Sequence, residues 1–141
     1  MFRILAVFLA LSGTVVAEAD LTPGKPSFVD GPSPDGRFAV HLEDDRDAAW
    51  FTALDPKKDG EKSLDSVRIW MSPKVEKGAP TKHVEIRWSS KAAVAGLAVD
   101  GELVAVLDFE HQRAYAKAEQ PPGDGAWGAR AWGPEADAAF Q

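Results

Sequence analysis

Acidic residues are concentrated in one stretch of the chain, which runs from Glu43 to Asp47 and is interrupted by Arg46. Carboxylate oxygens are the ligands that Ca²⁺ prefers, so Asp44, Asp45 and Asp47 are the candidate metal ligands of this sequence. The stretch lacks the alternating acidic spacing, followed by glycine, that wraps a loop around one calcium ion. We therefore favour a solvated turn between two strands and expect no bound metal.

Asp108 is the carboxylate with the most unusual setting, because it interrupts an apolar run. Burial would raise its pKa unless a cation were paired with it. Arg113 follows at the distance of an opposed position on the next strand, so a structural pair of Asp108 and Arg113 is the favoured interpretation. A hydrolase built on Asp108 or Glu110 with a histidine is the alternative. Ser89 and Ser90 lack the Gly-x-Ser-x-Gly elbow of a serine nucleophile.

The three histidines, His41, His83 and His111, lie far apart in sequence and show no metal-ligand spacing. Gly123-x-Gly125-x-x-Gly128 matches the letters of a dinucleotide-binding motif. Two prolines precede it, whereas the motif requires a strand before it and an acidic residue about 20 positions after it. We expect no cofactor.

Trp127 and Trp132 flank small residues near the C-terminus. Exposed tryptophans stack on sugars, but a spacing of five directs side chains to opposite faces of a strand. Core packing is the favoured role, since bulky rings supply buried area. The other interpretation is a partner or ligand surface, whose candidate residues are Trp127, Trp132, Glu43, Asp44 and Asp45.

Composition excludes several functions. The 141 residues include 16 basic and 22 acidic side chains, for a net charge of −6, and no cysteine. Disulfide frameworks, cysteine-ligated zinc and thiol catalysis are excluded. Nucleic acid and anionic membranes require a basic surface, so neither is expected as a partner. A basic exported protein fits the acidic charge better.

The first 19 residues have the features of a secretory signal peptide. Arg3 precedes an uncharged stretch over residues 4–17, and Ala17-Glu18-Ala19 supplies the small-x-small cleavage pattern. The uncharged run is too short to span a membrane. We predict cleavage after Ala19, a proline- and glycine-rich arm over residues 20–36 and a single β-domain over residues 37–141. The mature product would be a soluble periplasmic or secreted protein.

Period-two alternation from Arg37 onward indicates strands over residues 38–43, 48–54, 67–71, 82–88 and 112–117. Asp100-Gly101 between apolar runs predicts a type I′ hairpin that pairs Val99 with Glu102 and Leu97 with Val104. Both faces of this hairpin are apolar, so we expect cover on both sides. Pro134 can begin a short helix over residues 135–140. The expected fold is all-β: an antiparallel meander of six or seven strands, closing into a sandwich or half-barrel.

With the strands assigned, the sequence resembles a family of uncharacterised bacterial proteins, domain of unknown function 2251. The resemblance spans about residues 38–122 and leaves out the tryptophan-rich tail. It implies a shared fold and transfers no catalytic residues. The residues that carry it are Glu43-Asp44-Asp45, Trp50-Phe51, Ala53-Leu54-Asp55, Asp65-Ser66-Val67-Arg68-Ile69-Trp70, Ile86-Arg87-Trp88-Ser89, Leu107-Asp108-Phe109 and Arg113-Ala114-Tyr115.

The sequence therefore predicts an exported, non-catalytic β-domain that binds another protein, as inhibitors and immunity proteins do. The alternative is a module that binds a small ligand, a carbohydrate or calcium through the acidic stretch or the tail tryptophans.

Overall fold

The computed structural model describes residues 12–71, 80–90, 93–117 and 126–140. These residues form ten strands and one helix. In chain order they are β1 Thr14–Leu21, β2 Ser27–Pro32, β3 Ala39–Asp44, β4 Ala48–Leu54, β5 Ser63–Met71, β6 Lys82–Trp88, β7 Val94–Val99, β8 Glu102–Asp108, β9 Arg113–Ala116, β10 Ala129–Ala131 and α1 Pro134–Phe140.

The strands form two sheets. The first sheet has the order β1-β6-β7-β8-β9-β10, and the second has the order β2-β3-β4-β5. All neighbours are antiparallel except β10, which runs parallel to β9. This arrangement confirms the predicted all-β, sandwich-like fold. The described strands exceed the predicted number because β1, β2 and β10 were not expected.

The core lies between the two sheets, where alternate residues of each strand point inward. Its fully buried side chains come from both sheets, among them Leu42 and Phe51 of the second and Ile86 and Leu107 of the first. Trp88 is also buried, and its indole Nε1–H donates to the Gly31 carbonyl across the sandwich at 3.1 Å. The two sheets are thus joined by apolar packing and by a buried hydrogen bond.

The β7–β8 hairpin turns at Asp100 and Gly101, whose φ angles of 50° and 82° confirm the predicted type I′ turn. Val99 pairs with Glu102 as predicted. The predicted pairing of Leu97 with Val104 is wrong, because a bulge between Leu97 and Ala98 moves Leu97 opposite Ala105. A bulge places two residues of one strand against one of its partner, and period-two alternation does not reveal it when both faces are apolar.

Helix α1 covers the outer face of the first sheet. It contacts β7 and β8, and Ala136 and Phe140 are buried there against Val94, Leu103 and Val106. Gly96 admits the ring, since a Cβ atom on Gly96 would lie 2.6 Å from Cε2 of Phe140. The helix confirms the predicted helical tail and the cover expected on both faces of the hairpin. Within the described ranges, no helix has the length and apolar character needed to cross a bilayer.

The N-terminal region differs from the expected arm. β2 pairs with β3 over its whole length, and Val29 is buried, so residues 27–32 belong to the second sheet. β2 is an edge strand, where Pro32 is tolerated because its missing amide costs no ladder bond. β1 pairs with β6 and overlaps the predicted signal peptide. The first 11 residues of that predicted segment, and Pro121-Pro122, lie outside the described residues.

Candidate functional site

The outer face of the second sheet presents aromatic and polar side chains in two rows that cross all four strands. We call this set of eight residues the open face. One row runs Phe28, Glu43, Trp50, Arg68 and the next runs Asp30, His41, Thr52, Ser66, in the order set by the strand register. Their chain neighbours, such as Val29 and Leu42, point into the core. The alternation of the strands therefore places all eight on the face of the sheet that is opposite the core, where Thr52 is nonetheless buried.

Phe28 is an exposed large hydrophobic residue on the open face. Its side chain is 57% exposed, although phenylalanine is among the residues most often buried. Its ring lies 4.7 Å from the His41 ring, at an angle of 51°. Glu43 and Asp30, which lie opposite Phe28 and His41 on the neighbouring strand, are both exposed. An exposed aromatic ring is thus flanked by two carboxylates.

His41 is half-buried beside Phe28. Burial lowers the pKa of His41, and the nearby carboxylates of Glu43 and Asp30 oppose this effect without cancelling it. The imidazole is therefore neutral at pH 7. Further along the same row, the hydroxyls of Thr52 and Ser66 share a hydrogen bond that ties β4 to β5. The centre of the open face is consequently a fixed platform.

The acidic stretch turns its carboxylates toward backbone amides. Asp44 is 1% exposed, and its Oδ2 accepts the Gly24 amide at 2.8 Å and the Trp70 indole N–H at 3.2 Å. Its Oδ1 accepts the amide of Arg46, which has a φ of 84°. This burial removes Asp44 from any contact surface. The residue holds the β3–β4 corner together.

Asp45 has a similar role in the same turn. Its Oδ1 accepts the amides of Asp47 and Ala48, each at 2.9 Å, and these bonds lower the pKa of Asp45. Asp47 is exposed. The carboxylates of Asp44 and Asp45, two of the three candidate calcium ligands, thus hydrogen bond to backbone amides of the turn. Glu43, by contrast, lies on the open face.

His83 lies among carboxylates on the outer side of β1 and β6. Its Nδ1 is 2.8 Å from Oδ1 of Asp20, and its Nε2 lies 3.9 Å from Glu18 and 3.7 Å from Glu85. The hydrogen bond to Asp20 raises the pKa of His83. Among the described residues, Glu18, His83 and Glu85 form a group whose ligand-type atoms lie within 4.8 Å of one another. All three residues are at least partly exposed.

Asp108 lies directly opposite Arg113 in the ladder, as the sequence predicts. Its carboxylate, however, accepts the backbone amide of His111 at 3.0 Å and contacts Nδ1 of His111 at 2.8 Å. The partner that the sequence analysis missed is therefore the histidine of the intervening turn. Asp108 is 3% exposed, whereas the His111 side chain is mostly accessible.

Asp108 and His111 border a cleft of about 370 Å³ between the β8–β9 turn and α1. With Asp108 accepting from Nδ1, Nε2 of His111 is the basic nitrogen of the ring. Of the residues that the structure describes, those that line the cleft are Val94, Asp108, Glu110, His111, Arg113, Tyr115, Glu135, Ala138 and Ala139. The arrangement can hold a proton acceptor near solvent.

The two tail tryptophans lie in different clusters. Trp127 packs edge-on against Phe109, with ring centroids 5.3 Å apart, in the core between the sheets. Trp132 packs against the cluster under α1, and Nζ of Lys117 lies 4.9 Å from its ring centre. Both tryptophans are partly buried and pack against different clusters, so their rings form no shared platform.

Two further outcomes concern the sequence motifs. The three histidines lie on different elements: His41 on β3, His83 on β6 and His111 in the β8–β9 turn. Of the glycine motif, Gly123 and Gly125 lie outside the described residues.

Asp65 is a buried carboxylate that the sequence analysis missed. It is 4% exposed, its carboxylate accepts a hydrogen bond from the Trp127 amide, and burial raises its pKa. Its position beside Ser66 in a strand carries no signal of this tertiary contact.

Comparisons with known proteins place the chain among uncharacterised sequences. A family model described as "Uncharacterized protein conserved in bacteria (DUF2251)" matches residues 21–141, a longer range than the resemblance suggested and one that includes the tryptophan-rich tail. A relative from Haemophilus influenzae, also described as an uncharacterized protein, is 29% identical over 87 residues, which is 62% of this chain and 54% of the relative. The chain thus spans about half the length of that relative. No solved structure matches.

Proposed function

The chain belongs to the DUF2251 family of uncharacterised bacterial proteins, and we propose that it is an exported, non-catalytic domain that binds a basic protein through the open face. The observation that carries the proposal is Phe28, an apolar ring that is 57% exposed on a sheet face with two flanking carboxylates. Aromatic rings surrounded by polar groups are the typical anchors of protein interfaces.

The charge of the protein supports a basic partner. The net charge is −6, and Asp30 and Glu43 flank the aromatic anchor. Asp45 and Asp47 extend the exposed acidic surface at the adjoining turn, and Arg68 lies at the far end of the row. Complementary charge increases the rate of encounter and selects the partner, while the aromatic ring contributes the buried area.

Export rests on the N-terminal sequence. The charged start, the uncharged stretch over residues 4–17 and the small residues at 17 and 19 support cleavage after Ala19 and release into the periplasm or medium. The lack of cysteine fits a domain whose stability depends on its core.

The test is a pull-down from the exported fraction of the source bacterium, with the purified exported protein as bait. We expect a basic protein to be retained by the wild type, and retained at least about tenfold less by Phe28→Ala and Glu43→Lys. Asp59→Lys is the charge-matched control, since Asp59 is exposed in the β4–β5 loop, away from the open face. Equal retention by all four proteins would contradict the proposal.

A second candidate function is favoured by the Asp108–His111 contact. The cleft could bind a small ligand, with His111 accepting a proton from it or from a water molecule, as in a hydrolase. Hydrolysis of activated esters by the purified protein, lost in His111→Ala and in Asp108→Asn, would support this function. Turnover that survives both substitutions would remove it.

A further inference from the structure

β1 lies across the predicted processing site. Six of its eight residues, Thr14 to Ala19, precede Asp20, which would be the first residue of the mature protein after cleavage. The same residues that end the predicted signal peptide therefore complete the first sheet in the full chain. Cleavage changes the edge of that sheet.

In the full chain, β1 shields β6. It pairs with β6 from Thr14 opposite Trp88 to Leu21 opposite Lys82, with one bulge. Ala17 and Ala19 pack against the core. Their register partners on β6, Ile86 and Val84, have no exposed surface. Glu18 and Asp20 point to the other side, toward His83.

After removal of Thr14 to Ala19, only two residues of β1 remain, and most of the β6 edge has no paired strand. Asp20 and Leu21 remain able to pair with His83 and Lys82, whereas the edge of β6 from Val84 to Trp88 loses its partner. Unpaired backbone groups on a sheet edge form a template for another strand. Cleavage also removes Ala17 and Ala19, which pack against the core in the full chain.

We infer that the mature domain has a second binding site, the edge of β6 over residues 84–88, which accepts an extended segment of another protein as an added antiparallel strand. The inference rests on the proposed cleavage after Ala19 and concerns a site separate from the open face. The occupant's chemistry follows from the strand it replaces: small apolar residues at alternate positions, as at Ala17 and Ala19, and a carboxylate between them, as at Glu18. Main-chain hydrogen bonds supply affinity in such strand addition, and alternate side chains supply specificity.

The family match supports this assignment. It begins at residue 21, so the part of the chain that defines the family includes β6 and excludes all of β1 except Leu21. β6 is thus an edge strand of the region that matches the family, and β1 is an addition to that edge.

The experiment compares the full chain, purified from cells in which export is blocked, with the exported protein from the same cells. Intact mass gives the first residue of the exported form, and amide hydrogen exchange reports on β6. We expect the exported protein to begin at Asp20, and its amides over residues 84–88 to exchange at least about tenfold faster than in the full chain, with β7 and β8 unchanged.

A peptide with the sequence of residues 14–19 then serves as the probe. We expect it to bind the exported protein saturably, with a Kd below about 1 mM, to restore slow exchange in β6 and to alter the fluorescence of Trp88. A peptide with Ala17→Pro is the control, because proline cannot donate to the ladder. A peptide with Glu18→Lys should bind more weakly, since it places a cation near His83.

Three results would overturn the inference: an exported protein that retains residues 14–19, equal protection of β6 in both forms, or no binding of the peptide. None of these bears on the open face. Conversely, Phe28→Ala should bind the peptide like the wild type, so the failure of one proposal is distinguishable from the failure of the other.

Discussion

The outer faces of the two sheets differ in what lies on them. On the first sheet, α1 places Phe140 and Ala136 against an apolar surface, and Gly96 makes room for the ring. On the second sheet, Phe28 extends from β2 with more than half of its surface exposed and with charged neighbours. Two phenylalanines on outer faces thus have opposite settings.

This difference indicates where function is to be sought. The part of the first sheet that α1 covers is apolar, and its stability depends on the fit of the covering helix. An exposed aromatic ring that lies among carboxylates contributes little to the free energy of folding.

Phe140→Ala should lower the free energy of unfolding by about 3 kcal/mol, because it removes a buried ring and leaves a cavity under α1. Phe28→Ala is the matched control and should change it by no more than about 0.5 kcal/mol. Urea denaturation measures both. Similar losses for the two variants would mean that the faces do not differ in the way described.

Gly96→Ala should destabilise the protein by about 1–2 kcal/mol, since the added Cβ would lie 2.6 Å from Phe140 and 2.9 Å from Leu103. Gly133→Ala is the control, because nothing lies within 4 Å of the Cβ position there. The combination of Gly96→Ala with Phe140→Ala should be less destabilising than the sum of the two. Additive losses would show that the ring does not occupy this space.

The histidines of the two sheets should titrate on opposite sides of the ordinary value of about 6.5. Burial lowers the pKa of His41 on the open face, whereas the hydrogen bond that His83 donates to the Asp20 carboxylate raises the pKa of His83 on β6. NMR titration of the ring protons measures both. Asp20→Asn should remove the upward shift of His83 and leave His41 unchanged, and identical titration of the two rings would refute the assignment.

The same shifts predict the pH dependence of stability. A lowered pKa means that the folded protein binds a proton at His41 less readily than the unfolded chain, so stability decreases as the pH falls through about 6.5. A raised pKa at His83 adds stability that is present below about 6.5 and is lost as the pH rises through the folded value. In thermal unfolding between pH 5 and 8, His41→Gln should reduce the loss of stability at acidic pH, and His83→Gln should reduce the loss of stability at alkaline pH. If either substitution changed the stability on the other side of the pH profile instead, the direction assigned to that pKa shift would be wrong.

Much of the fold could be predicted from local patterns. Alternation identified β3, β4 and β6, and Asp100-Gly101 identified the hairpin, because both signals depend on neighbouring residues alone. β2 was missed because its prolines and glycines suggest a linker, and an edge strand tolerates them. The bulge between Leu97 and Ala98 was missed because both faces of the hairpin are apolar.

The candidate site was less accessible to prediction. The alternation of β3 placed His41 and Glu43 on one face, but their proximity to Phe28 depends on the pairing of β2 with β3. The burial of Asp44 depends on Gly24 and Trp70, which are 20 and 26 residues away. The contact of Asp108 with His111 could not be predicted, because it depends on the conformation of the β8–β9 turn. The alternation of a strand predicts the face on which a residue lies. It does not predict which residues of other strands contact that residue.

Site-specific photo-crosslinking in the living source bacterium tests the open face most directly. The exported protein would carry a photoreactive amino acid at position 28 and, in a parallel strain, at position 59 in the exposed β4–β5 loop. Our account predicts a covalent adduct with one basic exported protein from position 28 and none from position 59. No adduct from position 28, or the same adducts from both positions, would contradict the claim that the open face is the binding surface.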